Sequence, residues 1–217
     1  MELELHQLDR RYEALRTRSA RRERRLIASL SEVGQQTPIV VVRDGARWVV
    51  VDGYKRVRAV HRLGQDVVRA AEWMLGELDA LVLERVMRGG EGASAIEEGW
   101  LLRELVRRFG LGQDELGRRF DRSTSWVSRR LGLVTELPAS VQEQVRAGAI
   151  GAHAAMKYLL PLARANRGEA ERLADADDGS ARRRARRPTA PARSAHASCS
   201  APASTRHTDA PSAASKA

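Results

Sequence analysis

The feature that most limits the fold is one strand-forming block inside a chain otherwise patterned for helix. Ile39-Val40-Val41-Val42 is a β-branched run, Trp48-Val49-Val50-Val51 is another, and Arg43-Asp44-Gly45-Ala46 lies between them. β-Branched and aromatic side chains suit a pleated surface and Asp-Gly suits a tight turn, so the block predicts a hairpin turning at Asp44-Gly45. Asp52-Gly53 ends the second strand, Tyr54 to Leu63 is helical with Gly64 as its stop, and Val67 to Trp73 offers a further strand. Ahead of the block, Leu5, Leu8, Tyr12 and Leu15 fall on one helical face, and Leu26, Ile27, Leu30 and Val33 precede a stopping Gly34. That spacing predicts two amphipathic helices. Helices packed on a small sheet make an α/β unit ending near Arg88.

Gly89-Gly90-Glu91-Gly92 then interrupts the pattern, and glycines this dense cost helix stability and offer a hinge. Beyond it the chain is helical. Ser94-Ala95-Ile96-Glu97 has capping-box form and opens a helix running to Phe109, closed by Gly110. Further helices follow, punctuated by Gly112, Gly132, Pro138 and Gly148, up to the apolar stretch Ala152 to Ala165. From about Gly168 alanine, arginine, proline and serine dominate, a composition that cannot bury a core and predicts disorder. The expected organisation is an α/β domain over 1–91, a helical domain over 92–166 and a disordered tail over 167–217. The abrupt change of composition also fits a C-terminus read in a shifted frame.

The 217 residues carry 38 Lys and Arg against 28 Asp and Glu, a formal net charge of +10. Neutralising phosphates releases condensed counterions, so a polyanion is the favoured partner, nucleic acid ahead of an anionic membrane surface. No stretch approaches the roughly 18 apolar residues a spanning helix needs, and Met1 to Arg25 is densely charged without a signal-peptide core. A cytoplasmic protein, with no membrane partner, is the expectation. The single cysteine, Cys199, excludes a disulfide framework or a cysteine-based zinc site, and His6, His61, His153, His196 and His207 show no ligand spacing, so no metal site is expected. The run Arg182-Arg183-Arg184-Ala185-Arg186-Arg187 either adds nonspecific DNA affinity or is a solvated basic tail.

Residues 113–131 read as a helix-turn-helix. Leu116 and Phe120 share a face of the first helix, Val127 and Leu131 share a face of the second, and small Gly117 lets the two approach. Ser123 caps the second helix, leaving Thr124, Ser125, Ser128 and Arg129 to face a DNA major groove as base readers. Arg118, Arg119 and Arg130 are placed for phosphates. Trp126 beside Val127 suits packing better than base contact. The bland alternative is a helical pair presenting a solvated basic face. Separately, Gly53-Tyr54-Lys55-Arg56 is a strand-to-helix turn whose backbone donors and cations suit an anion. A basic first turn on a solvated helix explains the same residues.

Three stretches in order, Gly34-Gln35-Gln36-Thr37-Pro38-Ile39, then Val51-Asp52-Gly53-Tyr54-Lys55-Arg56-Val57-Arg58-Ala59, then the helix-turn-helix followed by Leu137-Pro138, resemble the ParB partition family. The likeness covers roughly Arg24 to Ala155 and is greatest to ParB-like proteins that accompany some mobile elements. It implies an N-terminal α/β domain resembling sulfiredoxin, a helical DNA-binding domain and a C-terminal dimerisation domain, for which the tail offers no counterpart. It also implies CTP with magnesium as a cofactor, held by a Gly-Glu-Arg-Arg-x-Arg box and a later Glu-Asn-x-x-Arg box. Both boxes are altered. Gly53, Arg56 and Arg58 match the first, while Tyr54 replaces its glutamate and Lys55 its first arginine. Glu84 and Arg88 match the second, with Arg85 where an asparagine would help hold the metal. Arginine has no acceptor and cannot ligate a cation. Either Arg85 neutralises a triphosphate directly or metal-dependent nucleotide binding is lost. Sulfiredoxin chemistry needs a reactive cysteine in this region, which has none.

The expected function is sequence-specific binding of double-stranded DNA, in plasmid or chromosome partition, transcriptional control or as a mobile-element accessory. A homodimer follows from the small footprint of one helix-turn-helix, and a ParA-like ATPase is the partner a partition role implies. The alternatives are a CTP-dependent clamp or nuclease-like enzyme using the N-terminal domain, weakened by its scattered carboxylates, and a protein-interaction adaptor. No catalytic residue is assigned.

Overall fold

In the computed structural model, which describes residues 1–88 and 94–174, the strand-forming block lies inside a five-stranded mixed sheet. Its strands are β1 (Glu2–Glu4), β2 (Leu8–Asp9), β3 (Ile39–Asp44), β4 (Arg47–Asp52) and β5 (Val67–Glu72), in spatial order β1-β5-β3-β4-β2. β3 and β4 pair antiparallel out to Asp44↔Arg47, which places the turn at the expected Asp44-Gly45 region. β3 and β5 run parallel, with Ile39 opposite Ala70. Ile39, Val41, Val42, Val49, Val50 and Val51 are fully buried, which explains why these strands read as continuous apolar runs and do not alternate.

Before the block the structure departs from the two expected helices. Only the second forms, as α1 (Ala20–Val33), started by the Ser19 hydroxyl accepting from the Arg22 backbone N–H. Leu8 belongs instead to edge strand β2, Leu5 and Leu15 to two short 3-10 turns, Leu5–Gln7 and Glu13–Leu15, and Tyr12 immediately precedes the second turn. β1 pairs antiparallel with β5 and β2 parallel with β4, so sheet hydrogen bonds take the backbone groups that a helix would have paired internally. Leu3, Leu8 and Tyr12 are buried by this route.

α2 (Tyr54–Arg62) and α3 (Glu77–Met87) pack against the sheet, and α1 packs on α2. Residues 89–93, where the hinge was expected, lie outside the described residues. Then come α4 (Ala95–Phe109), α5 (Gln113–Phe120), α6 (Thr124–Thr135), α7 (Ala139–Ala147) and a last helical stretch of α8 (Ala152–Ala154), a π-turn over Ala155–Leu159 and α9 (Leu160–Ala165). The capping box at α4 forms in both directions, Ser94 to the Glu97 N–H and Glu97 back to the Ser94 N–H. Residues 167–174 are helical, with Ala170 and Ala174 buried, so order extends past the point where composition predicted its end. Alanine is the best helix former and buries against a neighbour without a large side chain. Residues 175–217, with the basic run 182–187, His196, Cys199 and His207, lie outside the described residues.

One apolar cluster runs from the sheet through Leu81 into Leu101, Leu102, Leu105, Leu116, Phe120 and Val127, so α4, α5 and α6 are seated directly on the α/β part. A second, built on Leu133, Leu137, Val141, Leu159 and Leu160, ties α6 to α7 and α9. Each fully buried leucine contributes roughly 1.5–3 kcal/mol. α6 is thus held from both sides.

Candidate DNA interface and anion pocket

α5 and α6 form the helix-turn-helix. Asp121, in the left-handed region at φ 50°, makes the turn, and the Ser123 hydroxyl accepts from the Trp126 N–H at 3.2 Å. Leu116, Gly117, Phe120 and Val127 are buried and Leu131 is half-buried. An ideal Cβ at Gly117 would sit 2.8 Å from the Arg122 carbonyl oxygen, so the turn folds back more closely than any other residue permits. α6 continues past Leu131 to Thr135 because Leu133 and Val134 are buried as well. Trp126 packs: its ring centroid lies 6.4 Å from that of Phe120, and the Arg130 guanidinium covers it at 5.3 Å.

The face opposite this packing presents Thr124, Ser125 and Arg129 to solvent, with Ser128 half-buried beside them. The Thr124 hydroxyl donates to Asp114 at 2.8 Å. Arg129 has no carboxylate within ion-pairing distance among the described residues. The three arginines expected to hold phosphates differ. Arg118 is exposed and, among the described residues, pairs only with Glu115, at 2.6 Å. Arg119 pairs with Glu115 and, at 2.8 Å, with Asp79 of α3, which raises its pKa. Arg130 is directed inward to Glu98 at 2.5 Å. Glu98 also accepts from buried Arg85 of α3, so α3, α4 and α6 meet in one largely enclosed Arg-Glu-Arg bridge. Arg130 is therefore placed as a structural cation, because a charge this enclosed requires a partner. Arg122, exposed at the turn, was not singled out by sequence. Neither was Gly99, whose missing side chain lets α4 touch α6: an ideal Cβ there would lie 2.9 Å from Val134 and closer still to the Arg130 carbonyl.

The second site is a cavity of about 390 Å³ at the N-terminus of α2. Gly53 sits at φ 100°, and an ideal Cβ on it would come within 2.6 Å of Ile39, so a glycine is required for β4 to turn into α2. Gly53, Lys55, Arg56, Arg58 and Arg88 line the cavity as the sequence suggested, together with Asp52. Sequence did not point to Arg16, Thr17, Ser19, Arg22 and Leu26, or to Glu97. The capping role of Glu97 was legible. Its second task was not: the carboxylate also accepts from the backbone N–H of Thr17 and, at 2.6 Å, from its hydroxyl, fastening α4 to the cavity wall.

Most of these cations are already held. Arg16 pairs with Glu84 at 2.6 Å, Arg58 with Glu13 and Glu23, and Arg88 with Asp52 and, at 2.7 Å, with Glu84. Glu84 is thus behind the lining, bracing Arg16 and Arg88. Arg85 is turned toward Glu98 and does not line the cavity, which disfavours the alternative in which it neutralises a ligand there. Tyr54, in the glutamate position of the box, is buried and donates its hydroxyl to the Val50 carbonyl; burial, and then the field of Glu84 and Asp52 opposed by Arg16, pushes its pKa up. Lys55 and Arg22 have no carboxylate within ion-pairing distance among the described residues. Burial, reinforced by Arg22, Arg88 and Arg58, lowers the Lys55 pKa, as expected in a pocket with surplus positive charge. The chemistry available is that of anion capture.

The family profile of the ParB N-terminal domain matches residues 1–81, and that of the ParB HTH domain matches residues 91–181. The chain belongs to the ParB family. It is 28% identical over 125 residues to the stage 0 sporulation protein J of Bacillus subtilis, a stretch that is 56% of this chain and 43% of that protein. The chain thus spans less than half the length of that relative. Among solved structures, it resembles the C-terminally truncated chromosome-partitioning protein ParB from Caulobacter crescentus complexed to the centromeric parS site, at 23% identity and a TM-score of 0.43, over 84% of this chain and 99% of that one. It resembles the same truncated protein complexed with CTP-gamma-S at 23% identity and a TM-score of 0.38, over 74% and 91%. The residues matched to the ParB N-terminal domain supply all of the cavity lining but Arg88 and Glu97, and those matched to the ParB HTH domain include the exposed face of α6. Among the described residues no helix is long and apolar enough to cross a membrane.

Proposed function

We propose that this ParB-family protein binds double-stranded DNA sequence-specifically, with α6 in the major groove. The observation that carries this is the division of α6 into a buried face, Val127, Leu133 and Val134, and an exposed one, Thr124, Ser125 and Arg129, with Ser128 at their edge. Arg129 is the base reader with the largest effect: a free guanidinium fork takes guanine O6 and N7 together, worth about 1–3 kcal/mol of discrimination. Arg118 and Arg122 flank it for phosphates. One helix-turn-helix contacts a short site, so specificity requires two half-sites and a homodimer. Partition, with a ParA-like ATPase as partner, is the first biological role, ahead of transcriptional control and service to a mobile element; the working parts are residues 1–91 and 92–166.

Selection of a randomised duplex library by the purified protein, at two salt concentrations, tests this. One motif should be enriched, and Arg129→Ala should abolish the enrichment while Ser128→Ala weakens it. Unselective binding with a steep salt slope would mean that the basic surface alone is at work.

The cavity supports a second role, binding of the triphosphate of CTP, carried by the cluster of Arg16, Arg22, Lys55, Arg56, Arg58 and Arg88 around the start of α2. Titration of CTP into the protein, compared with Lys55→Ala, checks it: loss of about tenfold in affinity is expected for removal of one charge-assisted phosphate contact.

A further inference from the structure

Given the triphosphate reading of the cavity, we infer that the polyphosphate is held without a divalent cation, its charge met by side chains alone. Magnesium takes near-octahedral oxygen ligands, and at a phosphate site these are waters, the phosphates themselves and one or two protein carboxylates, so at least one carboxylate has to be available to it. Five carboxylates stand in or behind the cavity wall, Asp52, Glu84 and Glu97 and, behind Arg58, Glu13 and Glu23, and each faces a cation or a backbone donor. In Asp52 one oxygen accepts from Arg88 and the other lies 3.7 Å from Arg56. In Glu84 one oxygen faces Arg16 at 2.6 Å and the other Arg88 at 2.7 Å. In Glu97 one oxygen takes the two Thr17 donors and the other the Ser94 N–H at 3.1 Å. The position after Glu84, where the family places an asparagine, holds Arg85, and its guanidinium is committed to Glu98. Among the described residues no group of three or more His, Cys, Asp or Glu is arranged to hold a metal ion.

The cationic side of the cavity has the opposite character. Lys55 lies in the first turn of α2, where backbone N–H groups lack helical partners, and Arg22 stands on the facing wall in the first turn of α1. Neither is neutralised by a carboxylate among the described residues. Their field attracts a polyanion and repels a second cation, so magnesium bound to the phosphates competes with Lys55 and Arg22 for the same oxygens. Lysine in place of the box's arginine acts here as a compact point charge and takes the position a metal would otherwise occupy electrostatically.

Isothermal titration of the full chain with CTP, once with a chelator and once with excess magnesium, separates the possibilities. Metal-free binding is expected at an affinity equal to or above that with magnesium. Lys55→Ala should lose about tenfold with chelator, and Lys55→Arg, which keeps the charge, should recover most of it. Binding that appears only with magnesium overturns the metal-free inference and leaves the pocket reading standing. No binding in either condition, by protein with a wild-type thermal transition, overturns both.

Discussion

The α2 cavity and the exposed face of α6 are both built from cations, yet the cations are held in opposite ways. In the cavity Arg16, Arg58 and Arg88 are each gripped by carboxylates, whereas Arg129 on α6 has none in reach among the described residues. Enclosed charges require partners, because desolvation of a lone guanidinium costs more than most contacts return. The consequence is a division of labour. These three cavity arginines are firmly placed but partly neutralised, so what they offer a ligand is geometry, while Arg22 and Lys55 supply the charge. The α6 face keeps its full field but little position, so what it offers is attraction at long range and, on arrival, adaptable hydrogen bonds.

The largest test of that contrast is at Glu98, between Arg85 and Arg130. Glu98→Ala removes the carboxylate shared by buried Arg85 and half-buried Arg130 and should lower unfolding free energy by about 3 kcal/mol in urea titration. A loss near zero would mean that the enclosed arginines are solvated after all, and the contrast would collapse. Next in size is Gly117→Ala, whose methyl group would press on the Arg122 carbonyl. It should cost about 1–3 kcal/mol by the same measurement and weaken DNA binding more than stability, since it alters the angle at which α6 is presented.

How far such sites can be read from sequence depends on whether the determinants are local. The hairpin, Gly53, α2 and the helix-turn-helix were all legible because each rests on signals a few residues apart: a β-branched run, a turn, a cap, an i,i+4 pair. The segment before Ser19 was not. Leu5, Leu8, Tyr12 and Leu15 have helical spacing, but backbone pairing of Leu3 with Val68 and Leu8 with Trp48 wins over that local preference. Arg16 and Thr17 of the cavity wall come from this misread region and were invisible as site residues, and Arg22 was missed because nothing local shows that α1 packs over the start of α2. Arg130 shows the same limit on the other surface. Its residue type and neighbours suited phosphate contact, and only the position of Glu98, 32 residues earlier in the chain, turns it inward.

On the α6 side the expected losses are in recognition and not in folding. Arg129→Ala should reduce discrimination of the preferred site by about 1–3 kcal/mol in competition binding while leaving the urea midpoint unchanged. A shift in that midpoint would show that Arg129 is held after all, and would erase the difference from Arg58 or Arg88.

A smaller effect is expected at Glu23, beside Arg58, Arg18 and Arg62. Burial raises its pKa, but the hydrogen bond from Arg58 and the field of the three arginines outweigh this and bring it below its ordinary value of 4.5. Because the folded value is the lower one, the pairing stabilises fully above pH 4.5 and is lost as pH falls through the folded pKa. Glu23→Gln should therefore flatten the acid limb of a stability–pH profile.

The smallest effect belongs to Arg118, exposed and, among the described residues, tied only to Glu115. An exposed pair of this kind contributes little to stability, so Arg118→Ala should leave unfolding unchanged. It should instead weaken binding to all duplexes alike and reduce the slope of log affinity against log salt by about one, the mark of a single phosphate contact. Arg130→Ala should do the reverse, destabilising the fold with the salt slope intact. If the two variants exchanged these signatures, Arg130 would be a phosphate ligand released from Glu98 on binding, and the line between held and free cations would shift when DNA arrives.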